Sequence, residues 1–296
     1  MNEFLSDFRG AFCREALVRV ALKVRENDLL GLAGQLAYSF LISFFPFLIF
    51  IVSLVGLAVS DPQTAVERLI HRTSGFLPEE ATTLLATYVS RTLQHTSTSV
   101  LVGGILGTLW LGSGAAIAIT KAANRAYDLR ENRPFWKLRG IAVLIALGFT
   151  VMMTVLTLVV FKVLVYAQEA SGSHTLLRYW NIGRWLLAFV VVTLALDVVY
   201  YLAPNAHMRY RWVTPGGLIA TVLIFVMSGA LSFYVANLGN YGRIYGQLGT
   251  VVVLMVWLYL TGLAVLVGIE LNAVTTRLKE ERRRVKLVHP KHPGDL

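Results

Sequence analysis

The chain has 296 residues, 56% of them apolar and 15% charged, with a mean hydropathy of +0.62 and a net charge of +10. A soluble domain of this length carries nearer ~25% charged residues, so one large water-surrounded core is excluded. A single cysteine, Cys13, excludes an internal disulfide.

In chain order, residues 1–31 come first and are charged throughout, without the compact apolar run of a cleavable leader. Phe4, Phe8, Phe12, Ala16, Val20 and Val24 recur every four residues between Arg9, Arg14, Arg19, Lys23 and Arg25, which predicts a basic amphipathic helix. That helix fits two placements, flat on the inner leaflet or packed on the bundle. Six uncharged or nearly uncharged runs follow, each long enough to cross ~30 Å of hydrocarbon as helix. They are predicted at Leu32–Val59, Val100–Thr120, Gly140–Tyr166, Trp185–Leu202, Val213–Leu238 and Leu248–Thr276. Within the first, Pro46 predicts a kink; within the second, Gly103 and Gly107 predict a close helix contact. Thr150, Thr154 and Thr157 share one face of the third, where bonds to their own helix suffice. Between the first two spans, Asp61-Pro62 and Leu77-Pro78-Glu79-Glu80 read as helix starts, so residues 60–99 form an external helical hairpin. Residues 277–296 are a basic tail that continues the last helix briefly. The expectation is an all-α polytopic fold: a helix at 1–31, a six-helix transmembrane domain at 32–276, and the tail.

Lysines and arginines give the direction. The flanks and loops on one side hold five, six, two and seven, twenty in all; the other side holds three, three and one, seven in all. Cytoplasmic loops carry the excess, so both termini are predicted inside, and the net charge needs no nucleic-acid partner.

Charges within spans need a reason, since each costs on the order of 3 kcal/mol in hydrocarbon. Asp197 and Glu270 each lie seven residues from a predicted cytoplasmic boundary, about 10 Å deep. Gln35, Tyr38, Ser39, Ser43, Ser113 and Tyr200 share that depth, with Asn124 and Asn272 nearer the surface. Two readings stand: ion pairs to Lys121, Arg125 or a loop arginine that fix helix packing, or a polar cavity open to the cytoplasm. Catalysis is the weakest. The six histidines are scattered, and neither a phosphate-binding loop nor a nucleophile elbow occurs, so no catalytic residue, cofactor or metal is assigned.

Several motifs carry a resemblance. They are Tyr38…Ser43…Pro46, then Trp110-x2-Ser113…Asn124-x2-Tyr127…Glu131-x-Arg133-x2-Trp136-x2-Arg139, then Tyr200-Tyr201-x2-Pro204-Asn205 and Pro215-Gly216. Tyr241-x3-Tyr245-Gly246-x-Leu248-Gly249, Trp257-x-Tyr259 and Gly268-x-Glu270-Leu271-Asn272 complete the set. In this order they resemble the YihY/BrkB family of bacterial inner-membrane proteins over about residues 25–277, with Gly217 and Ile269 departing from its pattern. The resemblance implies a six-helix inner-membrane protein with a virulence association and no settled activity. The family's ribonuclease label finds no clustered metal ligands in this sequence. Transport of a lipid-like or anionic amphiphile leads the functional readings. In it Lys121, Arg125, Arg133 and Arg139 attract anionic head groups to a cavity lined by Gln35, Tyr38, Ser43, Ser113, Asn124, Asp197, Tyr200, Glu270 and Asn272. A scaffold that binds membrane lipid or a partner is the rival, an enzyme the last choice; self-association is left open.

Overall fold

A computed structural model describes residues 14–58, 97–169, 174–206, 212–238 and 247–288. Seven helices occupy these residues: α1 Arg14–Glu26, α2 Leu29–Ala58, α3 Thr98–Ala126, α4 Phe135–Glu169, α5 His174–Leu202, α6 Pro215–Leu238 and α7 Gln247–Val288. All but α1 contain a window long and apolar enough to cross a membrane: Leu29–Leu54, Thr98–Ala126, Phe135–Val155, Trp185–Leu202, Pro215–Val235 and Val251–Glu281. Helix suits such runs because hydrocarbon offers backbone groups no other partner. The predicted spans recur with ends shifted by up to six residues, except that Gly140–Tyr166 is replaced by Phe135–Val155; Trp185–Leu202 recurs without change. The external hairpin, the motif residues Tyr241, Tyr245 and Gly246 and residues 1–13 lie outside the described residues, as does the side chain of Thr157.

Local chemistry sets the ends. Ser97 is extended (φ −147°, ψ 161°), and its hydroxyl accepts from Val100 N–H at 3.3 Å, capping α3. Asp28 and Asp128 take positive φ, 51° and 54°, where short polar side chains are tolerated. They turn the chain between α1 and α2 and after α3. Thr214 precedes Pro215, the cap-then-proline order that starts α6.

Packing is densest where α2 and α6 begin and α3, α5 and α7 near their ends; this is called the basic end below. Leu29, Ala33 and Leu36 meet Ala115, Ala118, Ala122, Ala123 and Ala126 there, with Ala203, Ala220, Leu266, Ile269 and Ala273 closing the cluster. Small residues matter because lipid tails are as apolar as leucine, so close van der Waals contact replaces water exclusion as the driving force. Farther along, Gly107 lies against the Pro46 ring at 3.1 Å from an ideal Cβ, and Gly104 against the Phe50 backbone at 2.9 Å. The predicted glycine contact therefore uses Gly104 rather than Gly103, which has no neighbour within 4 Å. Helix α2 runs through Pro46 without a break. Away from the core the bundle presents Leu106, Leu144, Leu186, Val226 and Phe233 outward, a surface suited to lipid.

Helix α1 docks on the bundle. Ala16 and Val20 are buried against Leu271, Val274 and Leu278 of α7, and Arg19 bonds Glu281 at 2.9 Å. Its stripe from Ala16 to Val24 thus packs on the bundle. The last helix also continues to Val288, well past the predicted boundary at Thr276.

Candidate functional site

Two buried acids organise the basic end, and they differ. Asp197, on α5, holds the start of α6. Its Oδ1 accepts from the Thr214 hydroxyl at 2.5 Å and its Oδ2 from Thr214 N–H at 3.2 Å. Thr214 Oγ1 in turn accepts from Gly217 N–H at 3.0 Å and from Asn272 Nδ2 at 2.9 Å, while Asn272 Oδ1 accepts from Gly216 N–H at 2.8 Å. One carboxylate, one hydroxyl and one amide thereby satisfy the first N–H groups of α6, and the negative charge sits where the helix dipole favours it. The Tyr200 hydroxyl donates to the Val265 carbonyl at 2.7 Å, tying α5 to α7.

This knot needs glycine at three places. A Cβ on Gly216 would overlap the Gly268 carbonyl and the Asn272 side chain, one on Gly217 the Asp197 carboxylate, and one on Gly268 the Tyr200 hydroxyl. Gly216→Ala is therefore expected to cost about 2 kcal/mol, because backbone cannot yield as a side-chain tip can. Thermal unfolding in detergent checks this, with Gly229→Ala as control, since no atom lies within 4 Å of its added Cβ.

Glu270, on α7, is the second acid and is 1% exposed. Asn27, at the α1–α2 turn, donates from Nδ2 to Glu270 Oε1, and Arg125 Nη1 donates to the Asn27 carbonyl at 2.9 Å. Glu270 Oε2 is buried without a hydrogen-bond partner. Among the described residues it forms no ion pair: Arg277 bonds Asp128 at 2.6 Å, and Lys23 bonds Glu26 at 2.9 Å. Among the described residues neither acid shows the pairing with Lys121, Arg125 or a loop arginine that one of the two readings predicts; each is met by neutral donors.

A third cluster fastens the α3–α4 loop. Asn124 Nδ2 donates to Glu131 Oε2 at 2.7 Å, Asn124 Oδ1 accepts from Asn205 N–H at 2.7 Å, and Arg133 grips both Glu131 oxygens at 2.8 and 2.7 Å. Arg133 also donates to the Ala203 carbonyl at 3.1 Å. Arg133 beside it, outweighing partial burial, holds the Glu131 carboxyl below the usual carboxylate range. A lowered folded value means this contribution is full above the unfolded value of ~4.3 and fades as pH falls below it. Thermal stability should accordingly drop less on acidification in Glu131→Gln than in the parent chain.

The predicted site residues therefore separate. Asn124, Asp197, Tyr200, Glu270 and Asn272 are buried at the basic end, while Ser113 is buried farther along α3, next to Gly112, which faces Ser43 of α2. Ser113 donates to the Trp110 carbonyl at 2.6 Å and Ser43, half-buried, to the Phe40 carbonyl at 3.1 Å, so neither hydroxyl offers its proton elsewhere. Gln35 and Tyr38 are exposed and stand on the opposite side of α2 from Ala33, Leu36 and Ala37; they do not join the group. Hydrogen bonds between elements engage Asn124, Asp197, Tyr200 and Asn272, whereas Ser43 and Ser113 bond their own helices and Glu270 keeps one oxygen unbonded. Of the four basic candidates, Arg125 and Arg133 are spent on backbone and Glu131, Lys121 is exposed, and Arg139 lies 4.3 Å over the Trp110 ring with a buried, unbonded Nε. Asn27 and Thr214 were not singled out from sequence; the Thr214-Pro215 step signals a helix cap, whereas Asn27 has no local signature.

Comparison with known proteins fits this architecture. A 277-residue match at 32% identity covers 91% of this chain and 97% of a putative ribonuclease-like protein, YfkH, of Bacillus subtilis. A UPF0761 membrane protein of Chlorobium luteolum is 30% identical over 88% of this chain, which spans only 60% of that protein's length. Another, from Psychromonas ingrahamii, is 28% identical over 81% of this chain and 80% of its own. No solved structure matches. The family model described as virulence factor BrkB matches residues 20–291, nearly the whole chain, so this multi-pass membrane protein belongs to the virulence factor BrkB family.

Proposed function

We propose that the chain translocates an amphiphile with an anionic head group across the bacterial inner membrane, its basic end facing the cytoplasm and acting as a closed gate. The contrast between the two acids carries this reading. Asp197 has every bond a structural carboxylate needs, whereas Glu270, equally buried, leaves Oε2 unpartnered. An unsatisfied acceptor in an apolar interior costs on the order of 1–3 kcal/mol, which is poorly explained if this end never opens. Opening between Asn27 and Glu270 gives that oxygen water or a cationic partner. Lys121, exposed at the same end, can offer its ammonium to a phosphate.

Orientation rests on the twenty-to-seven division of basic residues. Reporter fusions at Asn132 and the C-terminus should report cytoplasm and one near Thr73 the periplasm; a cytoplasmic signal at Thr73 reverses the account. Reconstitution tests transport itself. Purified protein in liposomes should move head-group-labelled phosphatidylglycerol faster than phosphatidylcholine, and equal rates with and without protein would refute the proposal. The rival, a non-transporting scaffold, draws on the number of polar groups already spent between helices. The reading assigns no enzyme activity and no cofactor; the ribonuclease-like name belongs to the Bacillus relative.

A further inference from the structure

Helix α1 has a second face that the bundle leaves bare. With Ala16 and Val20 turned to α7, Leu17 (52% exposed), Val18 (51%) and Leu22 (66%) point away from it. The charges of α1 are sorted in the same way. Arg19 is held by Glu281 at 2.9 Å and Glu15 at 2.7 Å, and Lys23 by Glu26 at 2.9 Å, so the cations flanking the packed seam are neutralised. Arg14 and Arg25 are exposed and have no ion-pair partner among the described residues. Eleven residues apart, they fall on one side of the helix about 16 Å from each other, between the Leu17 edge and the Val18–Leu22 edge.

Depth says what this face meets. Helix α1 runs antiparallel to the last turns of α7: Arg19 reaches Glu281 at one end and Asn27 reaches Glu270 just past the other. Glu270 lies in the last candidate span and Glu281 just beyond the charged step that begins at Arg277, so α1 lies alongside the stretch where α7 leaves its apolar run. Its bare apolar face continues into Leu30, 55% exposed at the start of α2. We propose that this face of α1 binds anionic phospholipid of the adjoining leaflet, Leu17, Val18 and Leu22 entering the interfacial layer and Arg14 and Arg25 contacting head-group phosphates. The side chains are suited to it: long arginine stems follow apolar surface while their charge reaches phosphate. This inference does not depend on transport, and it assigns head-group contact to Arg14 and Arg25 in addition to Lys121.

The test uses the full chain in nanodiscs, with Cys13→Ser and a bimane label on Leu22→Cys, quenched by brominated phosphatidylglycerol or brominated phosphatidylcholine. Phosphatidylglycerol is expected to quench preferentially. Arg14→Gln with Arg25→Gln should reduce that preference about 25-fold, roughly fivefold for each arginine, and Arg19→Gln should change it less than about twofold. All three positions are at the surface, so unchanged melting temperatures establish that the variants fold. A preference unaltered by the double substitution, or lost equally with Arg19→Gln, overturns the assignment. Quenching by aqueous iodide but by neither lipid, or by a label on a second copy, overturns it also.

Discussion

Asp197→Asn is expected to lower the unfolding temperature by several degrees, the largest loss of stability from a single polar substitution in this bundle. Thr214 presents two donors to Asp197, its N–H and its hydroxyl. The hydroxyl cannot turn elsewhere, because Gly217 N–H and Asn272 Nδ2 already occupy its acceptor side. An asparagine offers one oxygen and one amino group, so whichever way it faces, a donor meets a donor. The start of α6 also loses its negative charge. An unsatisfied buried donor costs ~1–3 kcal/mol and the lost charge at a helix start up to ~1 kcal/mol, together about 3 kcal/mol. Thermal unfolding in detergent measures this. An unchanged melting temperature would mean that Asp197 does not hold α6.

Glu270→Gln should behave in the opposite way. Its amide oxygen can still accept from Asn27, and the other position had no partner to lose. Melting should therefore stay within about 1 kcal/mol of the parent, the size of one ordinary hydrogen bond. Transport should fall about tenfold to a hundredfold, because a hydrogen bond to a charged group contributes ~1.5–3 kcal/mol and the carboxylate is absent from the open state. A variant that melts far earlier, with activity lost in proportion, would make Glu270 a brace like Asp197.

The two acids look alike in sequence, and the reason shows how far this chain can be read without coordinates. Span positions and depth were legible because a membrane helix must be apolar for about 20 residues. The depth of Glu270 and Asp197 followed from counting to Arg277 and Pro204. Direction around each helix was not legible. In a span apolar on every side, nothing local tells inward from outward, so Gln35 and Tyr38 were grouped by depth with Ser113 and Asn272 although α2 turns them away. The choice of Gly104 over Gly103 depends similarly on where Phe50 of α2 lies. Contacts across long separations were hidden too: Asn27 meets Glu270 across 243 residues, and Thr214 meets Asn272 across 58. At the α1 docking face the four-residue stripe was informative, since Ala16 and Val20 of that stripe are the residues buried against α7.

That the basic end opens is the claim on which the functional account rests, and labelling tests it most directly. Glu270→Cys, in a Cys13→Ser background, is exposed to a membrane-impermeant thiol reagent from each side of sealed vesicles, beside Ala264→Cys, which is fully buried in the same helix. The gate predicts that Cys at 270 reacts from the cytoplasmic face, faster when phosphatidylglycerol is present, while Cys at 264 stays unlabelled. Failure of both positions to react from either face would contradict it, leaving a permanently closed floor.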